Sequence, residues 1–195
     1  MSAAKGIDAT MPIYTIIAGV NGVGKSSLSG VLKAERNDLG CIIDVDKIAA
    51  ENGFTPLEAG KTAVRKIDAY LSKSLSFSQE TTLSGLRTEK TLKIAKEKKY
   101  YIRLFYIGLN TQEECSKRIR NRVEKGGHDI NPDDVDRRYK KRFDDLLAVL
   151  PYCDEVHFYD NENGFNEVGE YKNGEIIAKG DYRPAWLQEL ICMVI

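Results

Sequence analysis

Apolar and polar positions change period repeatedly along this chain, and the changes mark strands alternating with helices. Residues 12–18 form a short, nearly continuous apolar run with β-branched members, which predicts a buried parallel strand. Shorter runs of the same kind stand at Cys41-Ile42-Ile43 and Ser76-Phe77-Ser78-Gln79, and the clearest covers residues 100–107. A fifth strand is predicted at Glu155-Val156-His157-Phe158-Tyr159. Helical spacing fills the intervals. Val64, Ile67 and Leu71 share one stripe of a helix running from the capping box Thr55-Pro56-Leu57-Glu58 to about Ser74. Leu86, Leu92 and Ala95 mark the apolar side of the next, which ends near Lys98. Thr111-Gln112-Glu113-Glu114 caps another, closed by Gly126-Gly127. A long helix then runs from Asn131-Pro132 through Tyr139, Phe143, Leu146 and Leu147 to Leu150, with Pro151 as its stop. Two extended runs flanking Asn173-Gly174 read as a hairpin, and Pro184-Ala185-Trp186-Leu187 opens a terminal helix.

Strand–helix alternation predicts an α/β fold: a mostly parallel five-stranded sheet in three layers, with a small C-terminal hairpin plus helix as an addition. The chain has 195 residues, 42% of them hydrophobic, which suits one domain spanning residues 1–195. Four scattered cysteines and two histidines indicate neither a disulfide framework nor a zinc site. No secretory pattern opens the sequence and no apolar run is long enough to cross a bilayer, so a cytoplasmic location without membrane contact is expected. Formal charge sums to zero but is unevenly spread. Residues 87–142 carry a net +8 and residues 143–195 a net −8, and a basic middle suits an anionic substrate.

Between the first strand and its helix stands Gly19-Val20-Asn21-Gly22-Val23-Gly24-Lys25-Ser26, the pattern G-x-x-x-x-G-K-S/T. Glycines let successive backbone N–H groups turn inward on a phosphate. Lys25 reaches the β- and γ-phosphates, the Ser26 hydroxyl takes Mg²⁺, and Ser27 follows in the helix N-terminus that favours anions. With a strand before and a helix after, the whole reads as a P-loop nucleotide site, so ATP and Mg²⁺ are the expected cofactors.

Phosphoryl transfer needs more: carboxylates near the attacking oxygen and cations over the γ-phosphate. Asp44 and Asp46 follow the second strand, where alternation places both on one face at the ligand-binding end of the sheet. Glu80 follows the third strand, with Thr82 and Ser84 beside it as hydrogen-bonding groups for a sugar or phosphate. Arg118 and Arg122 lie one turn apart on a basic helix ahead of Gly126-Gly127-His128, so residues 111–142 are expected to act as a lid.

These stretches, with Asp44-Val45-Asp46-Lys47-Ile48-Ala49, Glu80-Thr81-Thr82-Leu83-Ser84-Gly85 and Tyr159-Asp160-Asn161, occur in an order that resembles the zeta-toxin-like P-loop kinases, over about residues 12–190. The compact bacterial members are often labelled ABC-type ATPases. The resemblance implies transfer of the ATP γ-phosphate to a hydroxyl of UDP-N-acetylglucosamine or a related nucleotide sugar. It implies Asp46 as the base, Glu80 and Thr82 as substrate or metal-shell contacts, Arg122 as the γ-phosphate clamp, and Arg118 and His128 as further substrate contacts. It also implies either a protein antitoxin that blocks the ATP site as partner or, for solitary chromosomal members, none. The chain departs from the family pattern in two places. Glu80–Ser84 lacks the arginine of an E-G-T-G-R-like stretch, and a second lid arginine is replaced near Gly127-His128, with Arg137 or Arg138 as substitutes.

Other classes fit less well. A mechanical ATPase signature beginning Leu83-Ser84-Gly85 should continue Gly-Gln, whereas Leu86 follows. A single-strand nucleic-acid groove would interleave aromatics with the basic residues. The remaining alternative is a non-catalytic or regulatory ATP-binding module.

Overall fold

Along the first strand, Tyr14, Ile16 and Ala18 alternate with Thr15 and Ile17, and every one of these side chains is buried. Both faces of that strand are therefore covered, which requires helices above and below it. A computed structural model describes residues 11–127 and 129–194 and shows this arrangement. Strands β1 (Ile13–Ala18), β2 (Cys41–Ile43), β3 (Phe77–Thr81), β4 (Tyr101–Gly108) and β5 (Glu155–Asp160) are parallel and lie in the order β2-β3-β1-β4-β5.

The intervening helices are α1 (Lys25–Glu35), α2 (Val45–Asn52), α3 (Pro56–Ser72), α4 (Arg87–Glu97), α5 (Gln112–Glu124) and α6 (Pro132–Leu147), with α7 (Ala185–Val194) at the end. One core joins Tyr14, Ile16 and Ala18 to residues of α2, α3, α4, α6 and α7; the other joins Ile17 and Phe105 to Leu28 and Leu32 of α1 and Cys115 of α5. The α/β three-layer reading holds. Among the described residues no helix is long and apolar enough to cross a membrane.

Several sequence expectations need correction. Strands β6 (Asn166–Lys172) and β7 (Glu175–Ala178) are not an appendage: β6 pairs antiparallel with β5, and the sheet has seven strands. The Asn173-Gly174 turn supplies the positive φ values that such a tight reversal needs. Asp44 and Asp46 do not sit on one strand face. Asp44 caps α2, its carboxylate accepting from the Asp46 N–H at 2.9 Å, and Asp46 lies in the first turn. Leu86 is not on an apolar face but 68% exposed; Thr88, Thr91, Leu92 and Ala95 make the buried side of α4. The long helix stops at Leu147, and Pro151 lies inside a separate 3₁₀ turn, Leu150–Tyr152.

The C-terminal helix is anchored next to the functional edge. Gly108, the last residue of β4, lies so close to Trp186 that an added Cβ would meet the indole at 2.3 Å. The Trp186 Nε1–H donates to the buried Asp160 carboxylate at 2.8 Å.

At the other end of the sheet runs an ionic ladder that the sequence did not announce. Arg103 in β4 donates to Glu155 at 2.7 Å and to Asp38 at 2.9 Å. His157 sits between Glu155 and Glu167, with 2.7 Å to each. An imidazole that faces two carboxylates needs both N–H groups, hence the charged form. Burial disfavours that charge, but the hydrogen bonds to Glu155 and Glu167 outweigh it and push His157 up to about 9. Burial likewise opposes ionised Glu155, but the hydrogen bonds from His157 and Arg103 hold it at about 2. Arg36 and then Arg103 hold Asp38 at about 2.

The signs are opposite for the two kinds of group. The His157 contribution is complete below the ordinary histidine value and is lost as pH rises towards about 9. The carboxylate contributions are complete above the ordinary carboxylate value and are lost as pH falls towards about 2. Denaturant unfolding at a series of pH values is therefore expected to show a plateau between about 4.5 and 6.5 with a decline on either side. Unchanged stability from pH 6 to 9 in wild type, or an unchanged alkaline limb in His157→Gln, would refute this account of the ladder.

Candidate active site

The phosphate loop joins β1 to α1, and its shape follows from its glycines. Gly22 has φ +87° and Gly24 φ +99°. A Cβ on Gly22 would meet the Cys115 carbonyl oxygen at 2.4 Å, so that position requires glycine twice over, by conformation and by contact. Lys25 folds back over the loop, its ammonium donating to the carbonyls of Gly19 at 2.9 Å and Val20 at 3.1 Å. Burial pulls this lysine down to about 8, although Glu80, Asp46 and Asp44 act to keep it charged.

Beside the loop lies a cleft of about 530 Å³ lined by residues from five elements of the sequence. It holds Lys25, Ser26 and Ser27 from α1, Asp44 and Asp46 around the start of α2, Glu80 from within β3 rather than after it, Thr82 just past that strand, Arg118 and Arg122 from α5, and Arg138 from α6. Ser26 Oγ donates to Glu80 Oε2 at 2.8 Å. Burial raises Glu80, and the nearby Asp44 charge adds to that; Asp44 is itself raised by burial and then by Asp46. Carboxylates raised and a lysine lowered within one cleft mark a candidate functional site.

Two polar connections stabilise the rim. Asn161, just past β5, donates through Nδ2 to the Val23 carbonyl at 2.8 Å. Arg118 donates to the Asn161 carbonyl at 2.7 Å and through Nε to Glu114 at 3.0 Å. Across the cleft, Arg138 Nη1 donates to the Asn21 side chain at 2.7 Å, while its buried Nε has no acceptor among the described residues. A buried donor left this way costs about 1–3 kcal/mol, so the position fits an anionic oxygen arriving with a ligand.

No family model matches the chain. A protein of Haemophilus influenzae, described as uncharacterized, is 36% identical over 126 residues, 62% of this chain and 88% of that one. Among solved structures, a chain of the PezAT chromosomal toxin–antitoxin system of Streptococcus pneumoniae matches with TM-score 0.68 at 21% identity, over 96% of this chain and 81% of that one. A chain of the AvrRxo1-ORF1:ORF2 complex solved with ATP matches with TM-score 0.65 at 17% identity, over 94% of this chain and 64% of that one. The chain belongs to the family of the Haemophilus protein, and its fold is that of the zeta-toxin-like P-loop kinases.

Within this P-loop kinase fold, the cleft occupies the carboxyl edge of the parallel strands, where open α/β sheets bind ligands. Of the residues singled out from sequence, it brings together Asn21, Gly22, Gly24, Lys25, Ser26, Ser27, Asp46, Glu80, Thr82, Arg118 and Arg122. Gly19 and Val23 contribute backbone carbonyls, to Lys25 and Asn161 respectively, and the Val23 side chain is buried in the core. Ser84 is elsewhere: it lines a neighbouring cavity and accepts a hydrogen bond from Thr82 at 3.1 Å. His128 lies outside the described residues. Of the two substitutes named for the missing lid arginine, Arg138 lines the cleft, whereas Arg137 pairs with Asp134 at 2.6 Å and lines the neighbouring cavity. Asn161 was legible only as part of a motif, although its position directly after a strand end at the ligand edge was a usable signal.

The residues present also fit Mg²⁺. Among the described residues no three His, Cys, Asp or Glu side chains form a metal cage. Mg²⁺, however, ordinarily takes one or two protein oxygens and completes its shell with phosphates and water. Ser26 Oγ and Glu80 Oε2, adjacent at 2.8 Å, supply such hard oxygens.

Proposed function

We propose that the chain is an ATP-dependent small-molecule kinase that transfers the γ-phosphate of ATP to a hydroxyl of an anionic acceptor, with UDP-N-acetylglucosamine or a related nucleotide sugar as the favoured acceptor. One observation carries the reading: a P-loop lysine, a cleft-lining aspartate, a serine–glutamate pair and two arginines from separate helices converge on a single cleft. In this reading, Lys25 exchanges the Gly19 and Val20 carbonyls for phosphate oxygens, and the inward N–H groups of the loop hold the rest of the triphosphate. Ser26 and Glu80 hold Mg²⁺, which when bound neutralises charge on the phosphates. Asp46 receives the proton as the acceptor oxygen bonds to the γ-phosphorus and the bond to the ADP oxygen breaks. Arg122 and Arg138 flank the transferring group, where negative charge is spread over its oxygens.

Asp46 is preferred over Asp44 as the base on structural grounds. Asp44 spends its carboxylate capping α2, whereas that of Asp46 makes no hydrogen bond among the described residues. Of the two solved structures described above, one comes from a toxin–antitoxin system and the other pairs ORF1 with ORF2. That origin supports a protein antitoxin as partner of this chain as well.

The test is a mass-spectrometric search for a product heavier by one phosphate after incubation with ATP, Mg²⁺ and a pool of nucleotide sugars and metabolites. Wild type is expected to form it, and Lys25→Ala to form it at least about 100-fold more slowly. A single-turnover assay with γ-labelled ATP guards the alternative. Label remaining on intact ATP in the presence of the whole pool would make the chain a nucleotide-binding module instead.

A further inference from the structure

A trans peptide is planar, so its C=O and the N–H that follows point in opposite directions. Whatever holds the carbonyl therefore aims the amide. In the phosphate loop this applies to the peptide joining Val23 to Gly24. Its carbonyl accepts from Asn161 Nδ2 at 2.8 Å, which turns the Gly24 N–H to the other side of the loop. Only the NH₂ end of an asparagine amide can serve a carbonyl, so the direction of this bond is fixed. The Gly24 N–H donates to no described residue, and Gly24 lines the nucleotide cleft. With φ at +99°, a Cβ on Gly24 would also meet Asn161 Nδ2 at 2.5 Å. Glycine is required there by its backbone and by the asparagine packed against it.

Asn161 is itself held from several directions. It follows Asp160, the last residue of β5, whose buried carboxylate accepts from Trp186 Nε1–H at 2.8 Å and from the Glu162 N–H at 3.0 Å. Those two bonds set the turn through residues 160–162. The Asn161 N–H donates to the Gly108 carbonyl at 3.4 Å, and the Asn161 carbonyl accepts from Arg118 Nη2 at 2.7 Å. The same Arg118 nitrogen reaches the Glu162 carbonyl at 3.3 Å, while Nε serves Glu114 on its own helix. The resemblance implied a substrate contact for Arg118. Its bonds among the described residues instead go to Glu114, Asn161 and Glu162, which spends its donors on the segment that carries Asn161.

We propose that Asn161 is a positioning residue of the phosphate loop, holding the Val23 carbonyl so that the Gly24 N–H faces the nucleotide phosphates, and that Arg118 acts through Asn161 rather than on substrate. Asn161 then governs how tightly phosphate is held without touching it. The inference rests on the nucleotide-binding half of the reading above and is independent of the acceptor. It also gives a reason for an asparagine directly after β5: an aspartate there would present only acceptors to a carbonyl.

Calorimetric titration with ADP in excess Mg²⁺, beside NMR of protein labelled with ¹⁵N-glycine, tests both parts. In wild type, ADP is expected to shift the Gly24 amide resonance, because that N–H gains a phosphate acceptor. Asn161→Leu keeps the approximate size of the side chain but has no donor. It should weaken ADP about tenfold or more and shrink the Gly24 shift at saturating ADP. The thermal midpoint of the nucleotide-free variant checks that it folds. Asn161→Ala removes the same donor by truncation and should behave alike, so a defect peculiar to leucine does not decide the matter. Arg118→Gln should weaken ADP in the same direction, and adding it to Asn161→Leu should cost little more than Asn161→Leu alone. ADP affinity unchanged in both Asn161 variants, or a Gly24 resonance that responds to ADP in them as in wild type, would overturn the role of Asn161. Losses that multiply in the double variant would place Arg118 on the ligand itself and overturn its action through Asn161. A wild type that binds no ADP would remove the kinase reading and this inference together.

Discussion

Asp46→Asn is expected to slow phosphoryl transfer by about 10²–10⁴-fold while ATP affinity stays within about twofold. The amide keeps the shape of the carboxylate but cannot take the acceptor's proton. Asp46 is in the first turn of α2 and exposed, so the substitution removes no core contact. The decisive control is Asp44→Asn. Asparagine caps helices about as well as aspartate, so α2 survives that change with its cap intact. If Asp46 is the base, Asp44→Asn keeps most of the activity; if the roles are reversed, the two variants exchange phenotypes. Loss of ATP binding together with turnover in Asp46→Asn would make this residue part of the nucleotide site and leave the base unassigned. Single-turnover rates with labelled ATP, beside equilibrium nucleotide titration, separate these outcomes.

The sequence disclosed whatever is written locally. The P-loop lies between an apolar run and a helix start, and each helix cap read from sequence carries its hydrogen bond in the structure. Thr55 and Glu58 form both halves of their capping box, Thr111 accepts from Glu114 N–H, and Asn131 accepts from Asp133 N–H. The strand positions shifted by no more than two residues, because β-branched runs bounded by turn residues admit few alternatives. Helix α2 went unseen for a physical reason: it has eight residues and buries one side chain, Ile48, so no amphipathic stripe can develop. Its local signals were the Asp44 cap, which had been read by strand alternation, and Gly53, whose left-handed backbone closes the helix.

What joins distant segments was not legible. The Arg138–Asn21 bond links residues 117 apart, and Asn161–Val23 links residues 138 apart. Nothing in the sequence around either partner names the other. For the same reason Ser84 was grouped with Glu80 and Thr82: the left-handed turn at Leu83 carries it into the adjacent cavity, and a leucine gives no warning of positive φ. The hairpin was found from Asn173-Gly174, but its pairing with β5 depends on a sheet edge that no turn signal describes.

The Arg103 ladder is the extreme case, and it carries the largest stability effect expected here. Arg103→Ala should lower the unfolding free energy by about 3–5 kcal/mol near neutral pH, because it removes one member of a buried ionic cluster and leaves the others. The Arg103 side chain is 0% exposed, and its Nε and Nη1 serve Glu155 and Asp38. Both carboxylates retain a partner, Glu155 its contact with His157 and Asp38 its two bonds from Arg36, which places the effect towards the lower end of that range. Arg103→Met separates packing from charge. It refills much of the volume but leaves the carboxylates as Ala does, so a fully stable Met variant would show that the lost packing dominates. Acid supplies the second discriminator. Asp38 and Glu155 are held at about 2 in the fold, so their contribution disappears as pH falls from the ordinary carboxylate value towards that level. The gap between wild type and Arg103→Ala should therefore narrow in acid if charge is the cause, and a gap of constant size down to pH 3 would assign it to packing. Arg103 is the third residue of β4, whereas the cleft lies past the opposite ends of the parallel strands. Activity per folded molecule should consequently match wild type, and a variant that folds fully yet loses turnover would tie the ladder to the site instead.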